Sequence, residues 1–391
     1  MRWKALTLTL LALALCLGAM AAGAEEVYMS LFDSGYDGWY ARSTGSATLE
    51  AASGSLVITG RSQDWHSPGR DFNLAPGQQY ELGVQVFQDR QPSATFLISI
   101  AHTKNGRETY ENLGRGEAKQ GEWTGISGSY LAGDYDKSVL YVETLGAPEL
   151  SFRIKAFSVL APRMERAAGL PALKDLYRDY FDFGCAVTYR EAVNTQLMDF
   201  YASQFNIMTH GNELKPDSVL DVPASALLSR EDPGAVAIRL DAARPLLDYA
   251  AKNGIKVHGH VLVWHSQTPD AFFRERYSPT GPYVSREVML SRLDNYIRLV
   301  FERTQAEYPG LIVSWDVVNE AVDDSSGQLR ASNWTRVLGE DFVLQAFRLA
   351  RKYAPEGTQL YYNDYSTPYQ PKLNGILKLL GELKEENLVD G

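Results

Sequence analysis

From residue 172 onward, short apolar runs alternate with helix-length amphipathic patterns, and this alternation constrains the fold more than any other feature of the chain. Apolar runs at 181–188, 206–212, 256–264, 311–320 and 359–366 precede helical patterns at 191–205, 240–253, 285 onward, 340–353 and 373–386. A further helical pattern at 172–180 leads in. Gly254 stands where a C-cap glycine closes a helix. Ser285 can cap the next one, whose apolar residues Met289, Leu293, Ile297 and Val300 fall at helical spacing. Strand–helix units repeated in series predict a parallel sheet, and closure into a (β/α)8 TIM barrel is the natural solution, with about five units present. The chain ends at Leu388-Val389-Asp390-Gly391, where a sixth strand is due. A barrel sheet left open has unpaired edges, so a C-terminally truncated, incomplete barrel is expected.

Residues 27–160 read differently. Short β-rich runs at 55–59, 79–87, 95–101, 138–144 and 150–159 are broken by Gly, Asp and Asn, with little helical periodicity. This predicts an antiparallel all-β sandwich of jelly-roll type. The expected organisation is a sandwich over 25–161, a short linker over 162–171 and the partial barrel over 172–391.

The first residues read as a signal peptide. Arg2 and Lys4 precede an apolar run from 5 to 17, and Ala22-Gly23-Ala24 is a small-x-small cleavage site. Residues 1–24 are therefore expected to be removed and the protein secreted. That leaves Cys185 as the one cysteine, set in an apolar run and read as a core thiol in a buried strand. The net charge of −10 disfavours nucleic acid and anionic membranes, whereas a neutral polysaccharide is indifferent to it. A monomer is expected.

The polar residues of the second region gather at predicted strand ends, where barrel active sites lie. They are Asn212, Glu213 and Lys215; His258, His260, Trp264, His265 and Gln267; Asp316, Asn319 and Glu320; and Asn363 and Asp364. Glycoside cleavage needs one carboxyl group to protonate the leaving oxygen and a second one opposite, and Glu320 is suited to the first task. Asn319 beside it can bond a sugar hydroxyl, and Trp264 can stack on a sugar ring. His258 and His260 share a strand face, but no cysteine or Asp-rich partner motif stands near, so metal ligation is the weaker reading.

With Gly-His260-Val-Leu-Val-Trp264-His265-Ser-Gln267 and Trp315-Asp316-Val-Val-Asn319-Glu320-Ala in place, residues 172–391 resemble glycoside hydrolase family 10, the retaining endo-β-1,4-xylanases. The resemblance implies that Glu320 is the acid/base and that Asn212, Lys215, His260, Trp264, Gln267 and Asn319 line the glycone side. No cofactor or metal is implied. The nucleophile of the family is a glutamate at the end of a seventh strand, which this reading finds missing, so the chain as given is expected to be inactive. Gly211, Pro216 and His258 depart from the family pattern, so the resemblance does not carry over to the outer glycone side.

The first region resembles carbohydrate-binding module family 22 through Asp37-Gly38-Trp39-Tyr-Ala-Arg42, Gly60-Arg61-Ser-Gln-Asp-Trp65-His-Ser-Pro68, Gly121-Glu-Trp123 and Tyr141-Val-Glu143-Thr. That resemblance implies a xylan cleft using Arg42, Trp65, Tyr110, Tyr141 and Glu143. Tyr141 and Glu143 share a strand face, giving a stacking ring beside a hydroxyl acceptor. Trp39 and Trp123 are read as core. Xylan and xylo-oligosaccharides are the expected partners, and the alternative is a xylan-binding protein with a vestigial barrel. Asn333-Trp334-Thr335 is a glycosylation sequon.

Overall fold

The computed structural model describes residues 25–33, 35–42, 47–162 and 169–391. The expected signal peptide and most of the expected linker lie outside these. Among the described residues, 25–162 together with Asn194–Gln196 form one compact unit, and 169–193 with 197–391 form the other.

The first unit is all β: β1 (Glu25–Ser30), β2 (Tyr40–Ala41), β3 (Thr48–Ala52), β4 (Ser55–Thr59), β5 (Pro68–Phe72), β6 (Gln79–Phe87), β7 (Ser93–Lys104), β8 (Arg107–Lys119), β9 (Thr124–Leu131), β10 (Lys137–Leu145) and β11 (Phe152–Ala161). Hydrogen bonding runs β2-β5-β10-β7-β8-β9-β6-β11-β4-β3, with β1 on β11. Strand alternation builds the core. Tyr80, Leu82, Val84 and Val86 of β6 point inward to meet Leu56, Ile58, Phe96, Ile98, Leu140, Val142, Ile154 and Phe157. On β10 the outward positions Val139 and Tyr141 form a small separate cluster with Ala101.

Two of the expected strands, 55–59 and 79–87, have the same ends in the structure. β1, β2, β3, β5, β8 and β9 lie outside the runs named from sequence. β8 is exposed along most of its length and so lacks an apolar face in sequence. It is held as a strand by its antiparallel pairing to β7.

The rest of the chain forms α1 (Leu173–Leu176), β12 (Gly184–Val187), α2 (Tyr189–Ala192), α3 (Thr195–Gln204, in the second unit from Leu197), β13 (Ile207–His210), α4 (Pro216–Val219), α5 (Val222–Leu228), α6 (Arg244–Asn253), β14 (Lys256–Trp264), α7 (Arg286–Glu307), β15 (Ile312–Asn319), α8 (Asn333–Leu338), α9 (Phe342–Tyr353), β16 (Gln359–Asn363) and α10 (Gln370–Glu385). The strands form a parallel sheet in chain order, β12 to β16. Beyond β16, the Asp390 N–H donates to the Leu360 carbonyl (2.8 Å) and the Gly391 carbonyl accepts from the Tyr362 N–H (3.1 Å).

Gly254 does end α6, in the left-handed conformation at φ 64°, and the Ser285 side chain caps α7 by accepting from the Val288 N–H. Gly259 is dictated by packing, because a Cβ there would lie 2.2 Å from the Trp315 ring that fills the sheet interior.

Three expectations need correction. The helix at 172–180 stops at Leu176, where Tyr177, Phe181 and Phe183 stack on one another instead. The helix at 191–205 is two helices, because Glu191 is drawn into a capping box with Thr188 that starts α2 one turn early. β12 is not a buried strand: it lies at the end of the sheet with one neighbour, so Gly184 and Ala186 are exposed and Cys185 is half-buried. Burial still pushes the Cys185 thiol up to about 12.

Candidate functional site

Parallel register sets Trp264, Asn319 and Asn363 side by side across β14, β15 and β16. Asn363 Nδ2 donates to Asn319 Oδ1 at 2.8 Å. Glu320 follows β15 with a left-handed backbone, φ 55°, a conformation costing about 1–2 kcal/mol for a residue with a side chain. Its surroundings hold it there. The Glu320 N–H donates to the Asn363 carbonyl (2.8 Å), and Arg330 Nε donates to the Glu320 carbonyl (3.3 Å). The Tyr362 hydroxyl accepts the next two N–H groups, from Ala321 (3.0 Å) and Val322 (3.2 Å). The same hydroxyl donates to Asp364 (2.5 Å), whose side chain is paired with the fully buried Lys372 at 2.7 Å.

The Trp264 indole N–H donates to Glu320 Oε2 at 3.0 Å, which fixes the carboxyl plane. Lys215 Nζ lies 4.9 Å from the centre of the Trp264 ring and donates to Asn212 Oδ1 (3.0 Å) and Gln267 Oε1 (2.9 Å). Burial lowers the Lys215 pKa, and the nearby carboxylates Asp217, Glu213 and Glu320 oppose that. The structure thus links Asn212, Lys215, Gln267, Trp264 and Glu320 into one polar chain beside Asn319.

His260 sits deeper. Its Nδ1 and the Nε2 of His258 both lie on Asp316 Oδ2, at 2.8 and 3.0 Å, and His258 Nδ1 meets Ser314 Oγ at 2.7 Å. Burial alone would raise the Asp316 pKa, but the hydrogen bonds from His258 and His260 hold it below the ordinary carboxylate range. Among the described residues, no group of three or more His, Cys, Asp and Glu side chains is arranged to hold a metal. Glu213, also at a predicted strand end, is turned away to accept the Tyr189 and Asn212 N–H groups.

On the first unit, the Arg42 guanidinium lies 3.7 Å from the Tyr141 ring centre and 5.3 Å from that of Tyr110. Tyr141 is 3% exposed beneath Arg42, so its ring is not an open platform, and Tyr110 and Trp65 are the exposed aromatics. Burial raises the Glu143 pKa, and Ser99 Oγ approaches its Oε1 at 2.7 Å. The Trp65 loop is tied down by Arg61, a residue the sequence reading gave no role. Its buried guanidinium donates to the carbonyls of Asp64, His66 and Leu150 and to Thr144 Oγ1, each within 2.7 Å. Burial lowers Arg61 to about 10. Trp39 is core as expected. Trp123 is not: it precedes β9 on the outer side, 37% exposed, with Phe87 beside it and Lys155 over it.

The site thus sets a carboxyl held by an indole at a strand end, with amide, ammonium and imidazole groups around it, on a parallel β/α sheet. The chain belongs to glycosyl hydrolase family 10, whose family model matches residues 172–391. A carbohydrate binding domain model matches residues 25–148.

Similar proteins include endo-1,4-beta-xylanase A of Thermotoga maritima, 31% identical over 95% of this chain and 35% of that protein. Endo-1,4-beta-xylanase B of Butyrivibrio fibrisolvens is 42% identical over 56% of this chain and 34% of its own. The chain spans about a third of the length of these curated relatives. Among solved structures, the N-terminal modules of a Clostridium thermocellum endo-1,4-β-D-xylanase, a family 22 binding module and a family 10 module complexed with xylohexaose, match with TM-score 0.56 and 30% identity. That match covers 94% of this chain and 74% of the other.

Proposed function

We propose that this chain is the xylan-binding module and the acid/base half of a secreted endo-1,4-β-xylanase acting with retention. The observation that carries the reading is the Glu320 carboxyl, oriented by the Trp264 indole at a strand end. Among the described residues its Oε1 makes no hydrogen bond, so that oxygen can serve a leaving group. Glu320 first donates its proton to the departing sugar oxygen and then takes one from the water that releases the glycosyl enzyme. Asn319, Lys215, Asn212, Gln267, His260 and Trp264 hold the glycone sugars. The first unit acts as a family 22 module that gathers xylan through Arg42, Trp65, Tyr110 and Glu143.

The second carboxylate, by resemblance, belongs to a seventh strand, whereas β12–β16 correspond to the first five. Residues 25–391 alone are therefore expected to release no reducing sugar from xylan. Robust turnover that vanishes in Glu320→Ala would overturn the assignment. In an enzyme completed through the remaining strands, Glu320→Ala should still react with a dinitrophenyl xylobioside, and azide should restore turnover as the β-azide. Absence of rescue, or an α product, would remove Glu320 from the acid/base role.

A further inference from the structure

The exposed position of Trp123 has no role in the cleft described above. Phe87 points outward from β6 and is the cross-strand partner of Arg153 on β11. The Arg153 guanidinium lies 5.5 Å from the Phe87 ring centre. Trp123 packs beside Phe87 at 5.3 Å between ring centres, tilted by 42°, and Lys155 Nζ stands 4.1 Å from the Trp123 ring centre. This ledge is on the outer side of β6 and β11, whereas Tyr141 and Glu143 are on the outer side of β10.

Two features of the ledge point to one ligand chemistry. Phe87 and Trp123 form a surface of the kind that packs against the apolar face of a pyranose ring. Arg153 and Lys155 are cations with no carboxylate within ion-pairing distance among the described residues, in a chain whose net charge is −10. Each stands within cation–π distance of a ring, Arg153 of Phe87 and Lys155 of Trp123. A sugar that offers a pyranose face and a carboxylate together would satisfy both.

We infer that Trp123, Phe87, Arg153 and Lys155 form a second glycan platform for uronic acid units on a xylan chain. The inference rests on the reading of the first unit as a xylan-binding module. The part of Trp123 that Lys155 leaves exposed meets the sugar ring, and Lys155 and Arg153 pair with its carboxylate, so the ledge distinguishes acidic from neutral xylan while the Trp65 cleft does not.

The test uses residues 25–391 and two probes of equal backbone length, an unbranched xylo-oligosaccharide and one bearing a single glucuronic acid branch, compared by calorimetry. The parent should bind the acidic probe roughly fivefold more tightly, the scale of two partly exposed charge pairs. That preference should fade at high salt. The double substitution Arg153→Gln with Lys155→Gln should abolish the preference and leave the neutral probe unaffected, which also reports that the module is folded. Trp123→Ala should abolish it too. A preference that survives either variant overturns the platform. If the neutral probe fails to bind while Trp123-dependent uronate binding persists, the xylan-cleft reading falls and the platform stands. If neither probe binds, both fall.

Discussion

Glu143, assigned to sugar binding in the proposed cleft, also carries a cost in stability. Burial raises its folded pKa, so the folded state disfavours the ionised form. A carboxyl of this kind removes stability as pH rises through the interval between its unfolded value, about 4.3, and its higher folded value. Glu143→Gln keeps the acceptor that faces Ser99 and removes the charge. At pH 7 the thermal midpoint of the binding module should rise by about 2–4 °C, and that gain should vanish near pH 4. Xylan affinity should fall about tenfold, the scale of a lost charged hydrogen bond. An unchanged midpoint at pH 7 would mean that the buried carboxyl carries no penalty. Asp64 runs the other way. Burial would raise its pKa, but Thr144 and the Ala147 and Gly146 N–H groups hold it low. Its contribution is present above the ordinary carboxylate range and is lost as pH falls through its depressed value. Glu320 and its neighbours were legible from their strand-end motifs. The cover over Tyr141 was not, because period-two alternation assigns a face but cannot reveal that Arg42, from a distant segment, lies on it.

Among the elements, β16 does more than extend the sheet. Its Tyr362 hydroxyl accepts two successive N–H groups just after Glu320 and so helps hold a backbone that leaves the right-handed regions there. Tyr362→Phe keeps the ring but leaves those donors without that acceptor. The loss should be about 1–3 kcal/mol, read as a lower urea midpoint with an unchanged slope. A variant as stable as the parent would show that water replaces the phenol without cost. Elements with strong alternation, such as β4 and β6, could be read from sequence to the residue. β8 could not, because a solvent-facing strand has no apolar periodicity, and neither could α4 and α5, where Pro216 and Pro223 open short helices in a stretch that reads as loop.

At the scale of the whole molecule, the change of pattern near residue 161 was enough to anticipate two units, one antiparallel and one parallel, because hydrophobic periodicity reports directly on which layers can form. Position within a sheet was not legible, and the misreading of β12 as buried follows from that. β12 bonds to β13 on one flank, and its other flank has no partner strand among the described residues. Its exposed residues, Gly184 and Ala186, carry no charge to repel another strand. Concentrated solutions of residues 25–391 should therefore self-associate, with light scattering rising as protein concentration increases. Ala186→Lys should suppress that rise without changing xylan affinity, and equal scattering from both proteins would point to another contact. The colloidal behaviour of residues 25–391 would then be decided by four residues at one edge of the sheet.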